Sequence, residues 1–506
     1  KENDRPSVAH CTASLNTIED SEVGLCKASM ELGTRSRRRS PEPGPGRGAD
    51  YLSALPDDLL LLVLARLGCA AAAARTGLLA RRWRGLWARL RDLAFRDVAF
   101  PSLQVALGRV AVPPPAVSLL EIRVPGKIRP AADAVTSLLR AAARLAPEKL
   151  VFGLTGHLPL QDPNPAGVDL PCFHRATSIV LEWIPFVLRA PAAGGEFPAL
   201  LKLSLTGCKV DDLGTLLSLC PRLRVLRLKS LIWLGGDDLT TVHSASLQEL
   251  VMESIWTHRV DIVAPILKQL TLSSWAEAQV SISILAPMIQ NVSWQWLYDN
   301  GTIGFGLWTL EKLRLQTAQR QGQLPSLLIH ASSSWYSFTD EAANFAQEIE
   351  KHMVTDFFAL ELHLRTTGHV FGEFVLHFLG LNRIRSVIRR LKVVRVRQGS
   401  WGDEACPANC PCDTMNWRTQ TISLTALEDL EINGFEAEDH ELDFLKLILH
   451  SAPMLKTVIV KLSDEISSSD DTITKKCNIF RAYPSVKCNV YLSSGLMHQS
   501  QNCLLT

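Results

Sequence analysis

The chain has 506 residues, of which 47% are hydrophobic and 21% charged, with a formal net charge of +2. This excludes a chain disordered throughout, and the balanced charge argues against a nucleic-acid partner. The longest apolar run, "LLLLVLA" at 59–65, is far too short to span a bilayer as a helix. The length allows two or three domains or one long repeat array.

Residues 1–50 lack apolar periodicity, and "RSRRRSPEPGPGRG" at 35–48 reads as part of a disordered, basic, Pro/Gly-rich tail. Its cluster of Arg35, Arg37, Arg38 and Arg39 is either a solvated tail or a nuclear-import signal. No secretory leader is visible in the residues given. The twelve cysteines are scattered, and Cys208, Cys220 and Cys488 sit among apolar neighbours. They read as reduced, buried thiols, which suits the cytoplasm or nucleus.

Residues 51–96 form the first structured unit. Leu55, Leu59, Val63 and Leu67 recur at a spacing of four, with Leu60 and Leu64 beside them, which predicts a helix with a broad apolar face. Pro56 suits the first turn, Asp57 and Asp58 suit the positive end of the helix dipole, and Gly68 is a natural stop. A short Ala-rich helix at 69–77 and a third helix at 78–90 are expected next. In the third, Leu79, Trp83, Leu86, Trp87 and Leu90 fall on one side among arginines. Gly77 and Gly85 would each cost about 1 kcal/mol in a helix interior. Three short helices make a core too small to stand alone, so a partner or a neighbouring domain should cover their spare apolar surface.

Over 97–423 the rhythm changes to apolar-x-x-Leu-x-Leu. Clear copies lie at Leu200/Leu203/Leu205, Leu223/Leu226/Leu228, Leu247/Leu250/Met252 and Leu267/Leu270/Leu272, with degenerate copies on both sides. From the first template position the steps are 23, 24, 20, 22 and 21 residues. A repeat of that length with short alternating strands marks a leucine-rich-repeat solenoid. Each strand turns its leucines to one side, and only stacked repeats can bury them. The expected fold class is therefore α/β: a small three-helix unit followed by a degenerate solenoid of parallel strands.

A Cys-rich insert is expected near 401–417, where "CPANCPC" places Cys406, Cys410 and Cys412 within seven residues. The spacing C-x3-C-x-C fits the paired C-x-x-C of zinc sites poorly, although His440 or Asp413 could complete a ligand set. The plainer reading is an insert loop, and no metal or other cofactor is assigned. His243, His258, His363 and His369 read as ordinary solenoid residues. No catalytic motif or phosphate loop stands out, and "GTIGFG" at 301–306 lacks the setting of a dinucleotide turn. The chain is expected not to be an enzyme. Of the solenoid tryptophans Trp233, Trp256, Trp275, Trp294, Trp296 and Trp308, the pair Trp294 and Trp296 would share a strand face, and these two are the candidate target contacts.

"LPDDLLLLVLARL" together with "ARTGLLARRWRGLW" resembles an F-box. "LTALEDLEINGFEAEDHELDFLKLILHSAPMLKTVIV" at 424–460 is similar to the FBD region, so that 424–490 reads as FBD-like terminal repeats and 491–506 as a flexible tail. The layout resembles plant F-box/LRR proteins of the FBD type, especially those of grasses. The resemblance implies a substrate-recruiting subunit of an SCF-type cullin–RING ubiquitin ligase. Its F-box would dock a Skp-family adaptor, and through it a cullin, while the solenoid holds a target protein. Carried over by position, Leu55, Pro56, Leu59, Val63, Leu64, Leu67, Trp83 and Trp87 form the adaptor-facing or adaptor-supporting set, some of which must serve as the unit's own core. The competing readings are a non-ligase scaffold or decoy and a small-ligand sensor on the solenoid face.

Overall fold

The computed structural model describes residues 52, 55–96, 98–110, 117–125, 130–155, 166–191, 195–231, 239–255, 259–276, 281–298, 303–317, 323–338, 342–397, 410, 412, 417–464, 477–492 and 495–499. The expected tail at 1–50, Cys406, Asp413, Trp233, Trp256 and His258 lie outside the described residues. Residues from Leu52 onward form one compact unit.

The N-terminal unit has two α-helices, α1 (Asp57–Arg66) and α2 (Ala70–Arg75). The expected third helix is instead three separate 3-10 turns at Thr76–Leu78, Arg81–Trp83 and Leu86–Arg89. Ala80 is extended and Gly85 is left-handed with φ 79°, so the chain bends twice where one helix would have run straight. Gly85 is thus a turn residue, and only glycine takes that conformation without strain.

Among the described residues, six strands form two three-stranded sheets, and seventeen more follow in one sheet. The first nine are β1 (Asp92–Arg96), β2 (Leu119–Pro125), β3 (Lys149–Thr155), β4 (Ser178–Glu182), β5 (Lys202–Thr206), β6 (Val225–Lys229), β7 (Glu249–Ile255), β8 (Gln269–Ala276) and β9 (Asn291–Tyr298). Each pairs in parallel with the next in sequence. One inner column runs through Leu93, Leu120, Leu150, Ile179, Leu203, Leu226, Leu250, Leu270 and Val292, all buried. A second, two residues on, runs from Phe95 through Leu205 and Leu272 to Trp294. These columns are what the Leu-x-Leu template encodes.

β10 (Gly304–Gln316) breaks the pattern, pairing antiparallel with both β9 and β11 (Ser326–Phe338). The link from β9 is too short for the crossover that a parallel neighbour requires. The described part of "GTIGFG", 303–306, lies at this reversal of direction, with Gly306 at φ 58°. Parallel pairing then resumes through β12 (Ala359–Thr366), β13 (Arg390–Arg397), β14 (Asp429–Phe435), β15 (Thr457–Leu462) and β16 (Lys487–Leu492). β17 (Gly495–Gln499) closes the sheet antiparallel to β16, so part of the expected tail is an edge strand.

A repeated kink follows the second inner column. The residue two positions on is left-handed in five repeats: Trp183, Gly207, Ser230, Ser254 and Gly434. Most L-residues avoid this region, and the recurrence marks it as part of the repeat. At Gly434 a side chain is excluded twice over, because a methyl group there would collide with the carbonyl oxygen of Arg395 on the neighbouring strand.

The open face of the sheet carries charges that pair across strands. Glu121 takes both Arg96 (2.8 Å) and Arg123 (2.8 Å), and Arg123 also reaches Glu182 (2.6 Å). Arg227–Glu249, Lys392–Glu361 and Lys461–Glu431 repeat the motif at 2.8, 2.9 and 2.9 Å. Strands spaced about 4.8 Å apart bring opposite charges on one face into reach.

Candidate docking surface

α1 is divided along its length. Leu60 and Leu64 point inward and are buried. Leu59, Leu62, Val63 and Leu67 point outward and are 45%, 62%, 39% and 44% exposed. At 100° per residue these four span one continuous arc, so they form a stripe rather than scattered side chains. Leu55 is partly buried and Pro56 is exposed at the head of the same helix. Leu78 and Leu79, on the turn after α2, are almost fully exposed. Asp57 accepts from Arg89 (3.0 Å) and Arg82 (3.2 Å), tying the start of α1 to the arginine-rich turns. These bonds hold its carboxyl below the usual range.

Three members of the expected adaptor set lie in the unit's own core: Leu64, Trp83 and Trp87 are buried. Trp87 meets Phe95 of β1 edge-to-face at 6.2 Å, which locks the helical unit to the first repeat. Small helical units need such anchors, and the two largest side chains are used for them. Leu62, absent from the expected set, joins the outward stripe; its spacing of three from Leu59 was the available signal. Beside the stripe, α2 and the following turn face helix Phe100–Arg109 across a cleft of about 750 Å³. Its lining includes Ala70, Ala74, Leu78, Trp87 and Val105.

The expected target contacts are corrected. Trp294 and Trp296 are fully buried. Trp294 continues the second inner column, paired with Leu272, and Trp296 lies two residues further inside. Trp294 Nε1 donates to His352 Nδ1 (3.0 Å), and His352 Nε2 lies 2.7 Å from the Tyr298 hydroxyl and 3.0 Å from Glu348. Since the indole can only donate, the imidazole carries its proton on Nε2, and burial lowers its pKa. The network is a satisfied polar core. Among the described residues, the exposed solenoid tryptophans are Trp183, on the left-handed kink after β4, and Trp275, near the end of β8. Both lie on the rim at the carboxyl ends of the parallel strands.

The FBD-like segment owes its acidic stretch to one buried arginine. Arg395 of β13 donates to Glu441 (2.6 Å) and Glu436 (2.7 Å). Glu441 also accepts from the backbone N–H of Glu436 and of Glu438, forming with Glu438 a capping box on helix Asp439–Ser451. Cys410 and Cys412 are buried. The histidine grouped with them is His369, read above as an ordinary solenoid residue, and not His440. Cys208 and Cys220 are free thiols whose burial pushes each up to about 12, as buried structural cysteines should be.

Stacked parallel strands and two leucine columns behind a small helical head with an uncovered stripe define a leucine-rich-repeat protein. Residues 135–290 match the family model described as FBD-associated F-box protein At5g56370, LRR repeats, and residues 424–460 match the FBD model. Over these two segments the chain is similar to FBD-type F-box/LRR proteins. No curated protein and no solved structure matched it.

Proposed function

We propose that the chain is the substrate-recruiting F-box subunit of an SCF-type cullin–RING ubiquitin ligase, acting in the nucleus or cytoplasm. The observation that supports this most is the outward stripe of α1, where Leu59, Leu62, Val63 and Leu67 remain uncovered while Leu60 and Leu64 complete the unit's own core. The family reading supplies the occupant, a Skp-family adaptor. The solenoid would hold the target, with Trp183 and Trp275 as aromatic anchors on its rim. The subunit does no bond chemistry of its own under this reading. It raises the concentration of the target beside the ubiquitin carrier.

The cavity of about 470 Å³ on the open face is lined by both signs of charge, including Arg314, Glu361, Arg390, Lys392 and Glu431. Among the described residues, Lys392 pairs with Glu361 and Arg390 with Asp429, so these two cations of the lining are already compensated, which disfavours a small-ligand sensor. Co-expression of the full chain with a Skp-family adaptor tests the proposal. Co-purification in a fixed ratio is expected. A folded chain that leaves the adaptor behind would mean a non-ligase scaffold.

A further inference from the structure

The connection from β13 to β14 returns to the core at Cys410 and Cys412, where it meets the turn after β12. Cys410 Sγ lies 3.5 Å from His369 Nδ1. One ring nitrogen of His369 and the two sulfurs all lie within 4.8 Å of one another, and all three residues are buried. In a tetrahedral zinc site with Zn–S about 2.3 Å and Zn–N about 2.0–2.1 Å, nitrogen and sulfur ligands sit about 3.6 Å apart. One edge of that tetrahedron is therefore already set, and small side-chain rotations would set the others.

The surroundings hold the ligands in place. The His369 turn is pinned by Thr366, whose hydroxyl donates to the His369 carbonyl (3.1 Å) and accepts from the Gly368 N–H (3.2 Å). The Val370 N–H donates to Cys412 Sγ (3.4 Å), a contact that favours the thiolate. Beyond the cysteines the connection is anchored by Trp417, fully buried against Gly372, where any side chain would strike the indole ring. Two thiolates and an imidazole are a soft donor set that selects zinc over magnesium, calcium or manganese.

We propose that His369, Cys410 and Cys412 bind one zinc ion, which fastens the β13–β14 connection to the turn after β12 and so braces the approach to the FBD. This does not depend on whether α1 docks an adaptor. The test is metal analysis of the full chain, purified without chelator and also reconstituted with zinc chloride and desalted. About one zinc per chain is expected, and Cys410→Ser/Cys412→Ser should lose it. X-ray absorption of the wild type needs no variant to fold, and should show two sulfur neighbours near 2.3 Å with nitrogen or oxygen near 2.0–2.1 Å. Absence of retained zinc, a shell of no sulfur or four sulfurs, or retention of the metal by a folded double variant would overturn the assignment.

Discussion

The divided helix α1 sets a quantitative expectation for adaptor binding. Leu62→Ala removes three carbons from a side chain that is 62% exposed. At about 0.8 kcal/mol per buried CH₂, covering that fraction is worth ~1.5 kcal/mol, or about tenfold in Kd. The same arithmetic gives ~1 kcal/mol for Leu59→Ala and ~0.6 kcal/mol for Val63→Ala. The triple variant should bind on the order of a hundredfold more weakly, with some departure from additivity because the side chains are neighbours. Its thermal stability should fall less than that of a buried-leucine variant, since each of these side chains is already 39–62% exposed. Leu64→Ala is the counterpart: it should cost the fold about 2–5 kcal/mol while leaving the affinity of each folded molecule nearly intact. Calorimetric titration of the full chain with a Skp-family adaptor, beside a melting curve for each variant, reads both quantities. A folded triple variant that binds like wild type would refute the reasoning. So would a Leu64→Ala chain that, corrected for its folded fraction, loses more affinity than Leu62→Ala.

Trp294→Ala should destabilise the chain by about 3–5 kcal/mol, seen as a lower denaturant midpoint; a change in target capture without loss of stability would return this residue to the surface. Gly434→Ala should cost on the order of 2–4 kcal/mol, from its left-handed φ and the collision with Arg395, and an unchanged unfolding midpoint would contradict the crowding described. Burial lifts Glu441 up to about 7 against the pull of Arg395. A carboxyl raised in the folded state gives stability that is full below its ordinary pKa and is lost as pH rises through about 7. Glu441→Gln should therefore flatten the fall in melting temperature between about pH 5 and 8, and equal slopes for variant and wild type would count against it.

The repeats were legible because burial on one face forces a period of two within each strand and stacking forces a period near 22 between them. β17 was missed, inside an expected tail, and so were strands β1, β3, β11 and β16. Their inner positions hold Phe95, Phe152, Ala331 and Cys488, which a leucine template does not see. The reversal at β10 was also hidden, since a strand's inner residues look alike whichever way it runs. In the N-terminal unit, the spacing of α1 put Leu59, Val63 and Leu67 on one side of the helix, where they are exposed, but could not say which side of a broad apolar face the unit would keep for itself. The tryptophans misled for one reason in both places. Aromatic side chains suit binding surfaces and thin cores alike, and here Trp83, Trp87, Trp294 and Trp296 all fill cores. The His369 cluster joins residues some forty positions apart, which no local spacing reveals.

The packing of Trp87 on Phe95 ties the head of the molecule to the first strand of its array. A receptor built this way would present whatever it carries at one fixed bearing, so that where a client sits along the stack decides which of its lysines come within range. Inserting a few glycines between Leu90 and Asp92 would loosen that aim, and the pattern of modified lysines should broaden even with every gripping residue left untouched.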